Sequence, residues 1–389
     1  MKKYFLAVAS FFIYSHISLG QVYPGQMDST FVPVRSHHYD PELTFDFCVN
    51  EPAWSNQAGI HSAFGSTDRL YFRKEVPVNH DNDLSSSYST TVWRGERANA
   101  QILVWSSEAL EQVRVSTQDL RSAEGNIIPK DRITFELVRY VLSNYPYAEK
   151  KAICGESPYK SGFLMPDRFE TLDRFDLPSQ TTRPVWMMVD VPRGTAPGTY
   201  KGQVEVRAKG KAPQLLNLEI VVQNQLLPYP KDWKYRLDLW QNPWAVAWYN
   251  HVEPWSPEHK MLLKQHLKHY ADAGGTYITT YGVHSPWSDN SYMIEGGMIE
   301  WIKKADGTWA FDYKIFDEYV ELAMECGIDE AITLYTPIPW GFRHRYKDEA
   351  TGDYSYINWT PSSKEFKKMW NIFLTDFKFH LEAKSWLDI

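Results

Sequence analysis

Cysteine is scarce in this chain. The 389 residues hold three, Cys48, Cys154 and Cys326, and none stands in a Cys-x-x-Cys or comparable metal-ligand spacing. Neither a disulfide-dense scaffold nor a zinc site is expected. Cys48 and Cys154 could pair in an oxidising compartment. Cys326 falls on one helix face with Phe316, Val320 and Ala323 and reads as a small core residue. Basic runs are missing beyond the N-terminus and the formal net charge is −7. That excludes a nucleic-acid partner, because phosphate neutralisation needs a basic face. No apolar run is long enough to span a bilayer, so no transmembrane segment is expected, and nothing calls for a cofactor or a metal.

Lys2-Lys3, an apolar run from Tyr4 to Ile17, and Ser18-Leu19-Gly20 ahead of Gln21 are the three parts of a secretory signal peptide. The mature chain is expected to begin near Gln21, outside the cytoplasm (secreted or periplasmic). Aromatic residues make up 15% of the chain and sixteen of them are tryptophan. Tryptophan needs a large apolar slot and a partner for its N–H. Sugars present flat C–H faces that stack on such rings, so this richness fits carbohydrate binding and a large core equally well.

Residues 21–230 read as all-β. Thr91 to Trp105 carries a strand pattern; Val113 and Val115, then Ile133, Phe135 and Leu137, then Leu216, Leu218, Ile220 and Val222 alternate with polar neighbours. Glu124-Gly125-Asn126, Arg193-Gly194, Pro197-Gly198 and Lys209-Gly210 supply turns between them. The expectation is an antiparallel β-sandwich, closed by a linker at Leu227-Pro228-Tyr229-Pro230.

From residue 231 the period changes. Tyr235 to Trp240 reads as a first strand. Ser256-Pro257-Glu258 opens a helix that buries Leu262, Leu263, Leu267, Tyr270 and Ala271 and stops at Gly274-Gly275. Thr276 to Tyr281 is the second strand. A hairpin follows, Ile299 and Trp301 facing Trp309 and Phe311 across Asp306-Gly307. The second helix uses Phe316, Tyr319, Val320 and Ala323, and the third strand is Ala331 to Tyr335. A capping box, Ser362 to Glu365, opens a third helix with an apolar stripe of Phe366, Met369, Trp370, Phe373, Leu374, Phe377 and Leu381. Trp386-Leu387-Asp388-Ile389 reads as the approach to a fourth strand. Residues 231–389 are therefore expected to form the first three units of a (β/α)8 barrel, which closes over roughly 250 residues. The expectation is an incomplete barrel.

Several stretches resemble glycoside hydrolase family 123, the group once labelled domain of unknown function 4091. They are Trp93-Arg94-Gly95-Glu96-Arg97 with Ala100-Gln101, Pro184-Val185-Trp186 through Val189-Asp190-Val191-Pro192, and Ala196-Pro197-Gly198-Thr199-Tyr200-Lys201-Gly202. In the second part Leu237-Asp238-Leu239-Trp240-Gln241-Asn242-Pro243-Trp244, Ala271-Asp272-Ala273-Gly274-Gly275 and Pro339-Trp340-Gly341 fit as well. The resemblance implies an exo-β-N-acetylgalactosaminidase that works by substrate-assisted retention on a glycan ending in N-acetylgalactosamine. The 2-acetamido oxygen then attacks the anomeric carbon, one carboxylate orients that group, and a neighbouring acid protonates the leaving oxygen. The family places this Asp-Glu pair at the end of the fourth strand, which is expected after Ile389, so the 389 residues are expected to be inactive by themselves.

Three Asp-Glu pairs do occur. Asp317-Glu318 reads as a solvated helix face, Asp329-Glu330 lies ahead of the third strand on the face opposite to catalysis, and Asp348-Glu349 reads as an exposed turn. The strand exits supply the candidate sugar site: Trp240, Gln241 and Trp244, then Tyr281 and His284, then Tyr335, Trp340, Arg343 and His344. Trp244 and Trp340 read equally as loop packing. Asp238, an acid among aromatic and aliphatic neighbours, needs a partner or a function. His259, His266 and His269 suggest a metal, yet His266 falls in the apolar stripe and no acid completes a set, so packing is expected. Two other functions stay open: a non-catalytic carbohydrate-binding protein, and an interaction module completed by another chain.

Overall fold

The computed structural model describes residues 51–77, 84–143, 163–283, 297–335 and 337–389. The leader segment, Cys48 and Cys154 lie outside them. The chain forms two compact units, and passes from one to the other at Leu227–Pro228.

The first unit is β-rich. Among the described residues its strands are β1 (His61–Gly65), β2 (Ser87–Arg94), β3 (Arg97–Ser106), β4 (Leu110–Thr117), β5 (Leu120–Arg121), β6 (Ile127–Ile128), β7 (Ile133–Ser143), β8 (Phe163–Glu170), β9 (Phe175–Leu177), β10 (Thr181–Asp190), β11 (Gly198–Arg207) and β12 (Gln214–Leu226). One sheet runs β1-β3-β10-β7-β8 and the other β2-β12-β11-β4-β9, with β5 paired to β11 and β6 paired to β5. Ala98, Ala100, Ile102 and Val104 of β3, Val185, Met187 and Val189 of β10, and Leu216, Leu218, Ile220 and Val222 of β12 enter one shared apolar core. Each large aliphatic side chain so buried contributes about 1.5–3 kcal/mol, and a slip by one residue would turn the whole set toward water.

Two expectations are corrected here. The run from Thr91 to Trp105 is two strands in different sheets, because Gly95 takes a left-handed φ of +84° between them. The Trp93 N–H donates to the Glu96 carboxylate at 2.6 Å across that turn. The sheets are also not wholly antiparallel, since β12 runs parallel to β2.

The second unit mixes helix and strand. Its helices are α1 (Pro243–Tyr249), α2 (Pro257–Asp272), α3 (Lys314–Glu325) and α4 (Lys364–Lys384). Its strands are β13 (Tyr277–Tyr281), β14 (Glu300–Lys303), β15 (Trp309–Asp312), β16 (Ala331–Tyr335), β17 (Arg343–Asp348) and β18 (Tyr354–Asn358). β13 and β16 pair in parallel, residue for residue from Tyr277–Ala331 to Tyr281–Tyr335. The hairpin forms with Trp301 opposite Phe311. It joins β17 and β18, which the sequence reading did not anticipate, in a sheet ordered β15-β14-β17-β18.

The expected first strand does not form. Tyr235 to Trp240 is reduced to one parallel bridge, Leu237 to Gly275, so two parallel strands pair where three were expected. The physical reason is Tyr270. Its hydroxyl donates to the Leu237 carbonyl at 2.6 Å, accepts the Leu239 N–H at 3.4 Å, and lies 3.1 Å from the Tyr277 carbonyl. A side chain thus takes the place of ladder bonds. A full (β/α)8 barrel is not what the described residues display.

Other boundaries also move. The cap of α4 is Ser363, whose hydroxyl accepts the Phe366 N–H at 3.1 Å, and not Ser362. Leu374 is exposed instead of lying in the buried stripe, which consists of Met369, Trp370, Phe373 and Phe377. Trp386 does not start a strand. Ser385 turns left-handed at φ +59°, its N–H reaches Glu382 and the Trp386 N–H reaches Leu381, which is a Schellman closure of α4 with the indole buried behind it. In α2 the buried histidine is His259, while His266 is exposed. Cys326 is buried at the end of α3.

Candidate functional site

The C-terminal ends of β13 and β16, the segment Leu237–Asn242 and the start of α1 bring six of the sequence candidates together. Asp238 is exposed, and the partner that an acid among apolar neighbours calls for is present. Thr279 donates to one carboxylate oxygen at 2.5 Å and Thr333 to the other at 3.4 Å. Thr279 and Thr333 are register partners on β13 and β16, so their hydroxyls leave the paired strands on one side and hold the acid from both. The sequence reading missed these threonines. The detectable signal was a hydroxyl residue at matching places in two strands that flank an acid.

Beside Asp238 an aromatic series begins. Trp240, 53% exposed, packs on Tyr335 with ring centroids 4.4 Å apart. Tyr335 meets Tyr281 edge to face at 6.2 Å, and Tyr281 meets Trp244 at 5.9 Å. Tyr281 is fully buried and its hydroxyl donates to the Gln241 carbonyl. Burial pushes its phenol above the ordinary range, so it stays a neutral donor. Trp244 and Tyr281 therefore serve as core under the site, and the surface offered to a ligand is Asp238, Trp240 and the half-buried Tyr335. Such a surface combines a C–H stacking face with a carboxylate acceptor.

The remaining candidates fall elsewhere. Arg343 lies 3.5 Å above the ring of Tyr356, on the sheet of β17 and β18. His344 is buried among Trp301, Trp359 and Phe366. His284 and the side chain of Trp340 lie outside the described residues. No group of three or more His, Cys, Asp or Glu that could hold a metal occurs among the described residues.

Each Asp-Glu pair is tied into the framework. Asp317 is not simply solvated: its carboxylate meets His380 Nε2 at 2.7 Å and Lys384 at 2.9 Å, while Glu318 meets Lys260 at 3.3 Å. Glu330 accepts from the Thr276 hydroxyl at 2.7 Å. Glu349 accepts from Lys304 at 2.8 Å and from the Ala305 N–H at 3.1 Å. The Lys304 hydrogen bond holds its carboxyl below the ordinary range.

Residues 240–389 match the glycoside hydrolase 123 catalytic domain, and residues 64–208 match the glycoside hydrolase 123 N-terminal domain. The chain belongs to glycoside hydrolase family 123. Among solved structures it is similar to a family 123 glycoside hydrolase from Clostridium perfringens, described for glycolipid glycan hydrolysis. The two are 26% identical with a TM-score of 0.75, over 85% of this chain and 57% of that one. The chain thus spans little more than half the length of that relative. A PapD-like domain of human CEP192 aligns with 48% of the chain and 99% of its own length, at 12% identity and a TM-score of 0.23 too low to carry an argument. A search of curated proteins found no match. No helix among the described residues is long and apolar enough to cross a membrane.

Proposed function

We propose that the chain is the glycan-recognising part of an exported exo-β-N-acetylgalactosaminidase. The observation that carries this reading is Asp238, held by Thr279 and Thr333 beside the exposed face of Trp240. The Clostridium perfringens relative is described as acting on glycolipid glycans, which supports a terminal sugar of a glycan as the ligand. Under this reading the Leu237 segment occupies the place of the first strand, and β13 and β16 are the next two, of a (β/α)8 barrel, and the two-sheet unit is a β-sandwich. Lys2-Lys3 and the apolar run behind them support export.

Catalysis by substrate-assisted retention needs an acid and an acetamido-orienting carboxylate. At the mouth the described residues supply Asp238 alone, and the resemblance sets the pair beyond residue 389. The 389 residues by themselves are therefore expected to show no measurable hydrolysis of an aryl β-N-acetylgalactosaminide. General acid catalysis is typically worth about 10²–10⁴-fold, and loss of oriented electrostatic help removes about as much again. Joining the region that the relative has beyond the matched part should raise turnover, and replacing its Asp or Glu should remove it again. Robust turnover by the 389 residues alone would overturn the assignment and direct attention to Asp348 and Glu349. A non-catalytic reading rests on the same exposed Trp240, and calorimetric binding of N-acetylgalactosamine without turnover of the extended chain would favour it.

A further inference from the structure

A second cleft of about 580 Å³ lies in the α/β unit, between the loop ahead of α2, the start of α3 and the β17–β18 hairpin. One wall is Trp255, held in a left-handed backbone at φ +64°, a conformation that L-residues adopt only where their surroundings enforce it. Buried His259 fixes it there. The Trp255 N–H donates to His259 Nδ1 at 2.8 Å, so this nitrogen carries no proton, and Nε2 then donates to the Pro243 carbonyl at 2.8 Å. The indole stands edge to face against Trp244 at 5.8 Å and Tyr319 at 6.2 Å, which fixes the ring while leaving it half-buried. The opposite wall is just as ordered. The Arg345 guanidinium lies 3.5 Å above the ring of Tyr354, whose hydroxyl donates to Glu300. The exposed carboxylates of Glu253 and Asp312 stand at the rim.

The geometry points to a second glycan subsite, one that takes a neutral pyranose unit apart from the Asp238 mouth. Its C–H face stacks on Trp255, its hydroxyls donate to Glu253 and Asp312, and the Arg345 guanidinium donates to its oxygens. A fixed aromatic ring, carboxylate acceptors and a cationic donor around a space of this size match an uncharged polyol with one apolar face. Trp244 separates the two sites, lining the cleft while its ring meets Tyr281 beneath the mouth. This inference rests on the glycan reading above.

The test follows the indole N–H resonances of the ¹⁵N-labelled 389-residue chain, assigned with Trp255→Phe and Trp240→Phe, during titration with N-acetylgalactosamine and methyl β-galactopyranoside. The Trp255 resonance should shift. Glu253→Gln with Asp312→Asn keeps every neutral acceptor and should weaken the apparent affinity about tenfold, the size of a lost charge-assisted hydrogen bond. Trp240→Ala should leave the Trp255 shift in place. If only the Trp240 resonance moves, the cleft proposal falls while the mouth reading stands. If neither moves, both fall. An equal Trp255 response in the doubly substituted chain also overturns the proposal.

Discussion

The two units reach order by different means. In the β unit, β10 pairs with β3 over ten successive positions, from Thr181–Ser106 to Asp190–Arg97, so main-chain ladders fix the register and side chains fill the space between the sheets. In the α/β unit the parallel pair spans five positions. The neighbouring segment is attached through the Tyr270 hydroxyl and the Asp238 bonds to Thr279 and Thr333. A ladder is indifferent to side-chain identity, whereas each of these attachments depends on one residue. The α/β unit should accordingly be the more sensitive to single polar substitutions, although both cores respond to lost volume.

That contrast can be tested from its largest consequence down. Residues 21–230 expressed alone should give a soluble, β-rich product with a cooperative thermal transition. A random-coil circular dichroism spectrum would deny the β unit its self-sufficiency. Within the α/β unit Phe373 is fully buried and packs on Trp301 at 4.9 Å and on Phe377 at 5.5 Å. Phe373→Ala should cost about 3–5 kcal/mol, measured by urea unfolding. Tyr270→Phe keeps the ring and removes the hydroxyl, stranding the Leu237 carbonyl and the Leu239 N–H. The expected loss is about 0.5–1.5 kcal/mol, with faster hydrogen exchange at the Leu239 amide. An unchanged exchange rate there would show that the segment is held by other means.

The smallest expected effect is a pH dependence. Burial holds His259 below the ordinary histidine range in the folded chain, and Nδ1 already accepts the Trp255 N–H. The unfolded chain takes up a proton near pH 6.5, which the folded chain resists. Stability should therefore be whole above that pH and decline as the pH falls below it, by at most about 1.4 kcal/mol per pH unit. His259→Leu should flatten this dependence. Equal slopes in the two proteins would assign the acid sensitivity to other groups.

The sequence revealed much of this fold because period and punctuation are local signals. The strand at Leu216–Val222, the helix opened by Ser256-Pro257 and the hairpin across Asp306-Gly307 all depend on neighbours within a few residues. What escaped depended on distant partners. Tyr235 to Trp240 alternates like a strand, and only the reach of Tyr270 shows why it is not one. Ser385 carries no side-chain hint of a left-handed closure, because Trp386 enforces it from behind. At the mouth Asp238 stood out through its apolar neighbours, but the threonines that hold it become visible only when β13 and β16 are in register. Arg343 lies on a hairpin that had not been foreseen, and its place over Tyr356 follows from that.

Gly275 and Tyr270 have a shared evolutionary consequence. A methyl group on Gly275 would meet the Tyr270 ring at 2.1 Å, and the same ring carries the hydroxyl that joins Leu237 to β13. The two positions should therefore drift as a pair. A lineage that enlarges residue 275 must first give up the tyrosine and let the Leu237 segment pair through its own backbone, restoring a conventional strand. Sequences with a side chain at 275 should lack the tyrosine at 270, and their first strand should run longer.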